Sequence, residues 1–267
     1  MFLDAIEETR RVRAPERLEE EQWFKNLSRD LHIMMPKDPD PTVGGEPLPS
    51  IRELYHFVDG LVEIATDLMR RDAAKGRMTE AAAWAIQRAC IAMLVVGYEL
   101  PPCRLQYIKS AMHPDYVTAG CCQKRCCSSP NTCKGNRFEL TRMDGCERVR
   151  FVMPHHKNTT KGHKTISFII PAGPLTNLLL AHIKGGRQKL MAGSDNVSSM
   201  FISYGRQQFS DQTLCRYFKG RILKDAPFSK FAPMLARRIF IEAYCGVCGP
   251  DPEMWDGASA VSLVFTS

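Results

Sequence analysis

From Ile51 to Leu68 apolar residues return every three or four positions: Ile51, Leu54, Tyr55, Val58, Leu61, Val62, Ala65 and Leu68. That spacing predicts an amphipathic helix. Ser50, followed three residues later by Glu53, forms a capping box that sets its start, and Gly76 breaks the chain after it. From Thr79 to about Gly97 the pattern changes. Ala81–Ala85, Ile86 and Ala89–Val96 leave almost no polar face, which predicts a helix buried nearly all round. Leu100-Pro-Pro-Cys-Arg-Leu105 then interrupts, because proline lacks a backbone donor. A third, short helix is predicted to about Met112.

Further on the periodicity shortens. Arg137–Arg142 and Glu147–Pro154 read as two strands joined at Met143-Asp-Gly145, since Asp-Gly is a strong hairpin signal. Thr165–Pro171 reads as a third strand, with His155–Lys164 as a basic hairpin loop. A helix is predicted after Gly173-Pro174, then a loop over Gly185–Ser199, a short strand at Met200–Ser203, a helix capped by Ser210 to about Arg221, and a helix from Pro233 to Tyr244. The sum is a mainly α chain with a small three-stranded antiparallel sheet, an α+β class. Residues 1–46 read as a charged leader (helical over about 14–32) and a turn-rich linker, and residues 47–267 as the main domain, with a Cys-rich insertion at 117–136.

Composition sharpens this picture in two places. The chain of 267 residues carries 36 Lys/Arg against 29 Asp/Glu, a formal charge of +7. The excess is concentrated. Cys121–Lys164 holds ten Lys/Arg against three Asp/Glu, and Arg216–Phe240 holds seven against one. Such stretches favour a polyanionic partner. No apolar run is long enough to span a bilayer and the first residues lack a secretory apolar core, so neither a membrane nor a secreted protein is expected. Five of the 11 cysteines fall between Cys121 and Cys133. In a reducing compartment such clustering suggests metal binding, and Cys122, Cys127 and Cys133 are the candidate ligands of a structural zinc. Cys103, His113 or Cys146 is the candidate fourth ligand. The other reading of the cluster is a reduced basic loop.

Single residues add little by themselves. Arg104 follows two prolines and so has restricted freedom; Lys157 lies in the second hairpin; Arg237 and Arg238 sit among Leu235, Ile239 and Phe240. Each is also compatible with a solvated surface position. Their order is more specific. Leu100–Leu105, His113–Asp115, Cys133–Arg137, Pro154–Asn158, Ile166–Phe168, Phe209–Asp211 and Arg237–Phe240 together resemble the catalytic domain of tyrosine recombinases, the phage-integrase family, in its Crypton-like form from eukaryotic mobile elements. The resemblance spans roughly residues 50–257.

The resemblance implies the fold of that catalytic domain and a set of roles. Arg104 and Arg237 would hold the non-bridging oxygens of the scissile phosphate, Lys157 would protonate the leaving 5′-oxygen, and Arg238 would take the next family position. His155, His156 and Lys164 would contact DNA, with Lys164 the second choice as acid. Met234 stands where the family usually carries a histidine, so acid–base help from that position is lost. No tyrosine follows Tyr244, which does not match the family's nucleophile. The expectation is therefore a C-terminally truncated, catalytically incomplete relative that requires no cofactor, the structural zinc being the one candidate metal. It would bind double-stranded DNA, self-associate on it and reside in the nucleus. Intact relatives break and rejoin strands through a phosphotyrosine. The alternatives are a zinc-knuckle nucleic-acid-binding module without catalysis, and a helical interaction protein whose charge serves solubility.

Overall fold

Helix α1 (Ile51–Ala73) begins where the capping box places it. The Ser50 hydroxyl accepts from the Glu53 N–H, and the Glu53 carboxylate accepts from the Ser50 N–H at 2.7 Å. Leu54, Val58, Leu61 and Ala65 form its buried stripe. Asp72 then ties the turn, accepting from both the N–H and the hydroxyl of Thr79. Thr79 in turn caps α2 (Glu80–Val96). The computed structural model describes residues 42–43, 46–116, 134–155, 165–191, 197–228 and 231–248.

Helix α2 is the centre of the molecule. Ala82, Ile86 and every residue from Ala89 to Val95 are fully buried, as the missing polar face predicts. Elements packed against it come from both halves of the chain. They include α1, α3 (Leu105–Ser110), α4 (Pro174–Ala181), α5 (Arg187–Met191) and α7 (Pro233–Cys248). Before α1, β1 (Thr42–Val43) pairs antiparallel with β2 (Glu46–Pro47). The 14–32 helical stretch lies outside the described residues.

The three-stranded sheet is antiparallel in the order β3 (Arg137–Met143), β4 (Cys146–Met153), β5 (Ile166–Ile169). Asp144 and Gly145 both take positive φ at the hairpin, the backbone that an Asp-Gly turn of this kind demands. Phe138 faces Phe151 across the first pair, the rings stacked at 4.4 Å, and Phe151 faces Phe168 across the second. This aromatic row is the face the sheet turns to the core.

Three sequence expectations need correction. The predicted loop from Gly185 is helical to Met191: a π turn over His182–Gly186 follows α4 and leads into α5. Its burial explains the persistence, since His182 is fully buried and Leu190 and Met191 pack against Ala83 and Ile202. The predicted strand at Met200–Ser203 is reduced to an isolated bridge between Ile202 and Gln208. The Gln87 side chain takes both backbone groups of Ile202, donating to its C=O at 2.9 Å and accepting from its N–H at 3.0 Å, so no ladder partner is needed there. The final helix runs past Tyr244 to Cys248. Helix α6 (Asp211–Tyr217) and the π turn Phe218–Ile222 match the helix expected to about Arg221.

Among the described residues no helix is long and apolar enough to cross a membrane.

Candidate phosphate-binding site

The segment that carries Arg104 is held at every step. Gly97 ends α2 with φ 85°, and a Cβ there would lie 2.5 Å from Pro102 Cδ, so the chain can fold back only over glycine. The Gly97 carbonyl accepts from the Tyr55 hydroxyl at 2.9 Å, and the Tyr98 hydroxyl donates to Asp59 at 2.6 Å. Glu99 adopts φ 65°, an uncommon backbone for a residue with a side chain. Its carboxylate crosses to α4 and accepts from the Leu175 N–H at 2.9 Å. Burial raises the pKa of that carboxyl, while the hydrogen bond from Leu175 opposes the shift. The Cys103 N–H donates to Leu94 of α2 at 2.6 Å. Arg104 then occupies the N-cap position of α3 in an extended conformation.

Arg237 reaches the same place from α7. Ala236, Ile239 and Phe240 bury one face of that helix. Arg237 lies within electrostatic range of Cys103, Arg104 and Tyr107. Its pKa is lowered, first by burial and then by repulsion from Arg104. Burial raises the pKa of the neighbouring Cys103 thiol, with Arg237 acting the other way. Arg104 and Arg237, both half-buried and carried by separate elements, thus place two positive charges within electrostatic range of each other.

The remaining candidates fall in different places. Arg238, next on α7, is half-buried, and Met234 is 69% exposed. His155 lies two residues beyond β4, and its backbone is gripped by Asn136. The Asn136 Oδ1 accepts from the His155 N–H and Nδ2 donates to the His155 C=O, each at 3.0 Å. His156, Lys157 and Lys164 lie outside the described residues, as do Cys122, Cys127 and Cys133. Tyr244 belongs to α7.

The three candidate fourth zinc ligands are dispersed. Cys103 is buried beside Arg237, and Cys146 is exposed at the β-hairpin. His113 has both ring nitrogens engaged. Nδ1 accepts from the Asp115 N–H, which leaves Nε2 to donate to the Ile183 carbonyl at 3.1 Å. With no free lone pair, His113 is not a ligand in this arrangement.

Residue-level reading of the sequence missed two positioning residues. Glu99 stands immediately before the Leu100–Leu105 motif and Asn136 inside the Cys133–Arg137 motif. The signal in each case was a polar residue at the edge of a forced turn.

No protein-family model matches this sequence, and no curated protein and no solved structure is significantly similar to it.

Proposed function

We propose that this protein binds double-stranded DNA as a tyrosine-recombinase-like protein, with Arg104 and Arg237 gripping one backbone phosphate. The observation that carries the reading is that these two arginines, one just beyond α2 and one on α7, come within electrostatic range of each other. A guanidinium fork suits two phosphate oxygens, and the like charges, unfavourable together, are relieved by a bound anion. The basic stretches on either side supply further phosphate neutralisation.

The activity proposed for the described residues is binding and not strand cleavage. Cleavage needs a hydroxyl held in line with phosphorus. Among the described side chains, Tyr107 is a tyrosine within electrostatic range of Arg237, and it is only 3% exposed.

The test is binding to a short mixed-sequence duplex over a series of salt concentrations, for the wild type, Arg104→Ala and Arg237→Ala. Each substitution should weaken binding and lower the salt slope by about one. Binding that is lost on metal chelation and is indifferent to both arginines would favour the zinc-knuckle module. Absence of salt-sensitive binding would leave the helical interaction protein.

A further inference from the structure

Asn136 is 3% exposed, yet every polar atom of its side chain is engaged across elements. It pairs with both backbone groups of His155 as a neighbouring strand would. Its Nδ2 also donates to the Ser110 hydroxyl at 2.8 Å, on the last turn of α3, the helix that starts after Arg104. The backbone repeats the connection. The Asn136 carbonyl accepts from Met112 at 2.9 Å, and the Phe138 N–H donates to the Met112 carbonyl at 3.1 Å. One side chain, set just before β3, therefore joins the far end of α3 to the segment that follows β4.

A buried amide with this many partners has one low-energy placement, because each lost bond leaves a buried group unsatisfied. Any small residue at 136 would allow the chain to continue into β3. Only a side chain offering an acceptor and a two-proton donor on one short stem can close the His155 peptide groups and Ser110 together.

We propose that Asn136 is a positioning residue for DNA binding: it fixes His155 at a set place relative to the Arg104–Arg237 pair without itself touching DNA. The inference rests on the DNA-binding reading above and deepens it. It assigns to Asn136 the register between the arginine site and the end of the β4 strand.

The experiment compares the wild type with Asn136→Ala, His155→Ala, the double variant and Ser110→Ala. Two quantities are measured: duplex affinity at low temperature, with the folding of each variant checked by circular dichroism, and amide hydrogen exchange at His155. Asn136→Ala should lose duplex affinity about tenfold and lose protection of the His155 amide. His155→Ala should lose affinity but keep that protection. The double variant should bind no more weakly than His155→Ala alone, because positioning a missing side chain has no effect. Ser110→Ala, which removes one bond and spares the fold, should bind about threefold more weakly.

Unchanged affinity in Asn136→Ala, beside arginine variants that do lose binding, would overturn this inference alone. Additive losses in the double variant would overturn it as well. Should Asn136→Ala fail to fold, unchanged affinity in Ser110→Ala would be decisive against it. A wild type that binds no duplex would overturn both readings.

Discussion

The Glu99 carboxylate occupies the space above Gly173: a Cβ on that glycine would lie 2.1 Å from Oε1, while Oε2 accepts from the Leu175 N–H. Gly173 itself is extended, with φ 170°, so contact and not backbone strain forbids a side chain there. Gly173→Ala should therefore push Glu99 off the start of α4 and cost about 1–2 kcal/mol, the worth of a charge-assisted cap. In a Glu99→Ala background the same change should cost almost nothing. Urea denaturation of the two single variants and the double variant reads the coupling, and additive losses would contradict it.

The turn after α2 makes a second prediction by contrast. Gly97 and Gly76 both have positive φ, but only Gly97 is crowded, with Pro102 N at 2.8 Å from a built Cβ. Gly76→Ala should cost about 1 kcal/mol, the left-handed backbone penalty alone. Gly97→Ala should cost well above that and weaken duplex binding, because Pro102 leads directly to Arg104. Equal melting shifts for the two variants would show that the packing of Gly97 on Pro102 is unimportant.

His182 gives the fold a specific acid sensitivity. It is fully buried, stacks on Phe201 and donates from Nε2 to the Met200 carbonyl, so it is held neutral. Burial lowers its pKa from 6.5 to about 3. The unfolded chain then binds a proton that the folded chain refuses between these values. The stability contribution is complete above pH 6.5 and is lost as pH falls towards 3. The expected slope is about 1.4 kcal/mol per pH unit within the window. His113, lowered by burial and by Arg187, acts in the same direction. Denaturation midpoints at pH 7 and pH 5 should separate more for the wild type than for His182→Gln.

The long helices were legible because their determinants are local. Ser50 and Glu53 are three residues apart, and Thr79 caps the helix it precedes. The Asp144-Gly145 turn is equally local. Ile202 failed for the opposite reason. Its backbone is satisfied by Gln87, a residue 115 positions away, and no window around Met200–Ser203 contains that information. The π turn at His182 likewise depends on what buries it. As for the site, Arg104 and Arg237 were named through a family resemblance. Nothing in the spacing between them shows that they come within electrostatic range; that is set by the fold, in which both segments pack on α2.

Helix α2 has a consequence for how the chain tolerates insertion. The Arg104 segment leaves from its end, anchored by Cys103 to Leu94, and α7 packs against it. Surface segments between the two arginines can lengthen without altering the separation of the guanidinium groups. One extra residue inside α2 would not be so tolerated. It would swing the Arg104 segment by about 100° around the helix axis and carry it about 1.5 Å along. The gauge of the arginine pair is thus written in the residue count of a helix that carries neither of them.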